Sequence, residues 1–153
     1  MDAPDFTPPP DPRPHDEAWP AASWPPPPAV RLTGRWVELT PTTSGDVPGL
    51  RIALNHDVVH RHIAGGPVPD DDAMRRWYEL VLSREWHPWT VRLRADVGER
   101  QAGTIVGWSS FLEIAPGDAR LEIGNTAYDP GVWGTQVNPE AKLLLLGYAF
   151  DDL

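Results

Sequence analysis

Proline distribution sets the first limit on this chain. Nineteen of its 153 residues are proline, and eleven of those fall within the first 28. Proline fixes φ and has no N–H to donate, so a segment this rich in it forms neither a regular helix nor a central strand. Residues 1–29 are therefore expected to be a polyproline-like or disordered leader. Trp19 and Trp24, two of eight tryptophans, fall inside it and are not expected in a core. About 124 residues remain, enough for one core and too few for two.

Composition then removes several function classes. There is no cysteine, which excludes disulfides, cysteine-based zinc sites and a cysteine acyl-enzyme. No run of about 18 apolar residues is present to span a membrane. The start, Met-Asp-Ala-Pro-Asp, has neither the basic nor the apolar region of a secretory signal. A cytoplasmic location is the default expectation. The net charge of −9 repels a phosphate backbone and favours a cationic partner or an amine substrate. Of the basic residues only Lys142 is lysine.

From Val30 the pattern becomes that of a folded domain. Leu32-Thr-Gly-Arg-Trp-Val-Glu-Leu39 is expected as a first strand anchored by Trp36, and Gly49–Asn55 as a short helix. Met74, Trp77, Tyr78 and Val81 share one helix face, with Asp70-Asp71-Asp72 at its N-terminus. Trp89, Val91, Leu93 and Ala95 alternate with polar residues, the mark of a half-buried strand. Ala115-Pro-Gly-Asp118 is a turn that should pair Gly103–Leu112 with Ala119–Tyr128 in antiparallel fashion. Asn138 is expected to cap a last helix with Pro139 in its first turn. Leu143, Leu146, Phe150 and Leu153, widened by Leu144 and Leu145, are expected as its core-facing stripe. The order β-α-α-β-β-β-α defines an α+β domain with a mainly antiparallel sheet.

The chemistry concentrates between Leu121 and Lys142, where a strand enters a short loop and then a helix N-terminus. Unpaired N–H groups and the helix dipole make such a junction an anion site, here from about Trp133 to Asn138. Glu122-Ile-Gly124, Trp133-Gly-Thr135 and Val137-Asn-Pro-Glu-Ala-Lys142 resemble the acyl-CoA-binding motif of the GNAT N-acetyltransferase superfamily. The resemblance is strongest to the branch of ribosomal-protein N-terminal acetyltransferases. Leu32–Leu39 and Gly103–Phe111 resemble that branch's first and third strands, so the likeness runs from about Val30 to Leu153. The superfamily's Gln/Arg-x-x-Gly-x-Gly/Ala pattern falls on Trp133, Gln136 and Asn138, leaving a phosphate cradle to the backbone.

The resemblance implies direct transfer of an acetyl group from acetyl-CoA to a primary amine. Trp133, Gly134, Thr135, Gln136, Val137 and Asn138 would hold the cofactor's phosphates. Backbone groups of Thr126, Ala127 and Tyr128 would hold the pantetheine arm and polarise the thioester carbonyl. Glu122 matches the general base of some members, whereas others use a water chain; its alternative is a surface pairing with Arg120 or a neighbouring strand. The acceptor would be a protein N-terminus or a small-molecule amine, with no nucleic acid or membrane partner, and a homodimer is left open.

The family places further strands, a helix and an acid-bearing segment after this helix, whereas the sequence stops at Asp151-Asp-Leu153. The expectation is a domain incomplete at its C-terminus. Two other readings stand beside the enzyme: an inactive acyl-CoA-binding relative, and a proline-rich ligand for an aromatic-grooved domain. His56, His60 and His62 are expected at the surface rather than on a metal. Ser109-Ser110 lacks the glycine-framed turn of a serine hydrolase.

Overall fold

The computed structural model describes residues 20–61 and 67–153. Five strands form one sheet in sequential order, every neighbouring pair antiparallel: β1 (Leu32–Thr33), β2 (Val37–Pro41), β3 (His87–Leu93), β4 (Ile105–Ala115) and β5 (Arg120–Tyr128). Three helices cover it: α1 (Val47–Leu54), α2 (Asp71–Ser83) and α3 (Val137–Asp151). The α+β class and the β4–β5 hairpin follow the sequence closely.

The expected first strand is instead two strands. The chain turns at Gly34-Arg35-Trp36, and Gly34 N–H donates to the Val37 carbonyl at 2.9 Å. The turn is held from far away. The Glu140 carboxylate accepts from the N–H groups of Arg35, Trp36 and Val37 at 2.8, 2.7 and 2.8 Å. A side chain at position 34 would collide with that carboxylate, since a Cβ there lies 2.5 Å from Glu140 Cδ.

The helices pack on both faces of the sheet. Val37, Leu39, Trp89, Phe111 and Tyr128 bury against Val137, Ala141 and Leu145 of α3. On the other face Val47, Leu50, Leu54, Met74 and Val81 bury against Trp108 and Ala127. Strand β3 is therefore covered twice rather than half-buried. Thr90, expected on a wet face, is fully buried, and its hydroxyl meets Thr42 Oγ1 at 2.9 Å. Arg92 pairs with buried Asp46 at the entry to α1.

Helix α2 begins as its acidic triplet suggests, with the Asp70 side chain accepting from Ala73 N–H at 2.7 Å. Helix α3 departs from expectation at its start and in its orientation. Its N-cap is Gln136, so Asn138 and Pro139 already lie in the first turn. Its buried face is Val137, Ala141 and Leu145, whereas Leu143, Leu146 and Phe150 are exposed, Phe150 by 84%. Apolar residues surround most of this helix, so spacing alone does not select the side that meets the sheet.

The leader is not wholly apart from the core. Trp24 packs edge-on against His87 at 5.5 Å and Phe111 at 6.3 Å. Ala22 N–H reaches the Pro116 carbonyl at 2.9 Å, and Ser23 N–H reaches that of Leu153. No helix among the described residues is long and apolar enough to cross a membrane.

Candidate active site

The site begins at an irregularity in β5. Trp108 faces Ala127, but Ser110 faces Gly124, so β5 carries an extra residue between them. Asn125 takes it up at φ 45°, a bulge of the kind that re-aims a strand end. Beyond it Thr126–Tyr128 run along a sheet edge, for β5 has no outer partner among the described residues. Gly107 lies directly opposite Tyr128 and keeps this end tight against β4.

A short loop then leads to α3. Asp129 opens it, accepting from Gly131 N–H at 2.7 Å and from Arg100 at 2.7 and 3.0 Å. Thr135 Oγ1 donates to the Val132 carbonyl at 2.6 Å, and Trp133 Nε1 donates to the Tyr128 carbonyl at 2.9 Å. Gly134 sits at φ 70°, which a side chain would strain. At the helix entrance the N–H groups of Gly134, Thr135, Gln136 and Asn138 have no acceptor among the described residues. Pro139 has none to offer. Such a row of free donors at the positive end of a fifteen-residue helix suits an anion.

Between the β5 end and this entrance lies a cleft of about 430 Å³, lined by Val58, Val59, Thr126, Ala127, Tyr128, Val132, Trp133, Gly134 and Asn138. Six of the residues expected to bind a cofactor thus converge on one cavity: Thr126, Ala127, Tyr128, Trp133, Gly134 and Asn138. Thr135 and Gln136, also expected to bind the cofactor, are not among the lining residues but lie in sequence between Gly134 and Asn138, which are. Val137 is fully buried, its side chain in the α3 core. Glu122 is exposed on β5 opposite Leu112, outside the cleft lining and without a hydrogen-bond or ion-pair partner among the described residues. Val58 and Val59, from the segment between α1 and α2, carry no sequence signal.

Sequence reasoning also missed a polar cluster behind Thr126. Lys142 Nζ donates to Thr126 Oγ1 at 2.7 Å and to Ser109 Oγ at 3.0 Å, and the two hydroxyls are 2.9 Å apart. Burial lowers the Lys142 pKa below its ordinary value. The Tyr128 hydroxyl is buried with no partner, and burial raises its pKa. His60, expected at the surface, packs on Trp77 at 5.8 Å with Nε2 2.8 Å from the Leu54 carbonyl. His62 lies outside the described residues. No group of three or more metal-ligating side chains occurs among the described residues.

The Asp129 turn predicts a pH response. Burial alone would raise its carboxyl pKa, but Arg100, the Gly131 N–H and His56 outweigh this and hold it below the usual range. A folded pKa below the unfolded value of about 3.9 stabilises the native state above that pH, and the gain disappears as pH falls through the folded value. Thermal melts from pH 7 to 2 should therefore show an acid decline that Asp129→Asn flattens. An unchanged profile in that variant would remove Asp129 from the account.

An antiparallel sheet with a bulged edge strand facing a donor-rich helix entrance defines the class of this α+β domain. The family described as the acetyltransferase (GNAT) domain matches residues 37–153. The chain belongs to that family. A GCN5-related N-acetyltransferase from Brucella melitensis superposes with a TM-score of 0.74 at 21% identity, covering 88% of this chain and 60% of that one. A T. thermophilus protein assigned as an acetyltransferase gives 0.68 at 29% identity, covering 85% and 64%. A Vibrio cholerae protein assigned as a ribosomal-protein-serine acetyltransferase gives 0.63 at 14%, covering 81% and 68%. The chain thus spans 60% of the length of the Brucella structure. No curated relative matches the sequence.

Proposed function

We propose that residues 30–153 are the acyl-CoA-binding part of an N-acetyltransferase, preceded by the leader at 1–29. It transfers acetyl from acetyl-CoA directly to a primary amine in the cytoplasm. The observation that carries this is the convergence of the β5 end and the free donors at the α3 entrance on one cleft. Family membership supports it independently.

The chain's residues fit the cofactor. Four N–H groups without an acceptor among the described residues answer a pyrophosphate, and an edge strand at Thr126–Tyr128 answers the amides of a pantetheine arm, as a further strand would. Acetyl-CoA supplies the activated thioester. Backbone donors on that edge stabilise charge as it develops on the thioester oxygen, and they are most effective in a site that excludes water. Trp133, on the cleft wall, stands beside the cofactor in this reading. Glu122 is the proton acceptor in this reading, working through water because it is exposed outside the cleft.

The acceptor in this reading is a protein N-terminus or a small-molecule amine. The motif between Glu122 and Lys142 favours the ribosomal-protein branch; the Vibrio likeness, at 14% identity, supports the fold alone.

The test is acetyl-CoA titration followed by thiol release across N-terminal peptides, polyamines and amino acids. Saturable binding near one equivalent with amine-dependent thiol release is expected. Binding without release for any amine would instead favour an inactive acyl-CoA-binding relative. Absence of binding would contradict both.

A further inference from the structure

Lys142 is the sole lysine of an acidic chain and sits half-buried on the sheet side of α3, with its ammonium against two hydroxyls. No carboxylate pairs with it among the described residues, although four arginines there do form such pairs. Burying a cation against neutral partners alone is unfavourable, so this arrangement works against stability. Its geometry, however, is specific.

Ser109 is fully buried on β4, and Thr126 both lines the cleft and follows the bulge at Asn125. With Nζ donating to both oxygens, the hydroxyl hydrogens are left for the Ser109–Thr126 bond and for the Gly124 carbonyl, 3.5 and 3.4 Å away. One ammonium therefore fixes the rotamers of two side chains flanking the bulge. It also places a positive charge behind the strand edge that faces the cleft. Charge-assisted bonds of this kind hold geometry more firmly than neutral ones.

We propose that Lys142 is a positioning residue for the acyl donor: through Thr126 and Ser109 it fixes the β5 bulge, and its unmatched charge favours the thioester end of the ligand. The proposal rests on the acetyl-CoA reading above. It assigns Lys142 to the thioester end of the cleft, whereas the free N–H groups at the α3 entrance serve the phosphates. The two ends are therefore separable by experiment.

The test compares the 153-residue wild-type chain with Lys142→Met and Lys142→Arg by calorimetric titration with acetyl-CoA and with adenosine 3′,5′-bisphosphate, a probe of the nucleotide end alone. Lys142→Met should weaken acetyl-CoA about tenfold, as expected for losing bonds to a charged group, and change the bisphosphate by less than about twofold. Lys142→Arg, which keeps the charge, should recover acetyl-CoA binding to within about threefold of wild type. A merely structural lysine would lower both affinities together, and that result overturns the proposal. Equal acetyl-CoA binding by wild type and Lys142→Met overturns it as well. Should Lys142→Met fail to fold, Ser109→Ala removes one of the two tethers; selective weakening of acetyl-CoA supports the proposal, and unchanged binding overturns it. A wild-type chain that binds neither probe overturns the acetyl-CoA reading itself and this inference with it.

Discussion

Replacing Glu140 with alanine is expected to lower stability by about 2–4 kcal/mol, because three backbone donors lose one charged acceptor. Arg35, Trp36 and Val37 all direct their N–H groups at this carboxylate, over bonds of 2.7–2.8 Å. The turn is part-buried, so water replaces the lost acceptor only incompletely. Glu140 also stands in the first turn of α3, where a negative charge meets the positive end of the helix dipole. Urea unfolding measures the loss, and a change below about 0.5 kcal/mol would contradict it. The same variant should weaken acetyl-CoA binding, because the clamp ties the α3 entrance to the hairpin between β1 and β2.

Gly107→Ala should cost about 3 kcal/mol or more, since overpacking and backbone strain act together. A Cβ at this position would overlap the Ala127 carbonyl oxygen and lie 2.7 Å from Tyr128 Cδ1 and 2.9 Å from Tyr128 Cα. Two of those neighbours are backbone atoms of β5, which move only if the strand end leaves β4. That strand end is the proposed donor edge, so the variant should lose acetyl-CoA binding even where it remains folded. Gly103→Ala provides the contrast. Gly103 has φ 86°, but a Cβ added there would meet nothing within 4 Å. Its substitution should cost about 1 kcal/mol of backbone strain and leave binding intact. Equal losses for the two variants would show that the clash at Gly107 is not what matters.

Much of the fold was legible where the cause is local. Ala115-Pro-Gly-Asp118 turns β4 into β5, and Asp70 caps α2, because each depends on residues within a few positions. The split between β1 and β2 was not legible, because its determinant, Glu140, lies more than a hundred residues away in sequence. The orientation of α3 was hidden for a different reason. Val137-Ala141-Leu145 and Leu143-Leu146-Phe150 are both apolar stripes, and only the packing chooses between them. Trp24 was discounted for its proline neighbours, although an aromatic side chain can reach a core from an extended backbone.

The site divides in the same way. Thr126–Tyr128, Trp133, Gly134 and Asn138 meet at the cleft because the strand, loop and helix entrance are contiguous in sequence. Val58 and Val59 arrive from the other side of the fold. Lys142 was visible as the sole lysine, but its bonds to Ser109 and Thr126 depend on the β4–β5 register.

The most direct test of the central account is an amide chemical-shift map of the ¹⁵N-labelled chain on adding acetyl-CoA. The account predicts the largest shifts at Gly134, Thr135, Gln136 and Asn138, at Thr126–Tyr128, and at the Trp133 indole. No perturbation, or shifts centred instead on the polar cleft near Arg31, Glu38 and Arg92, would contradict it.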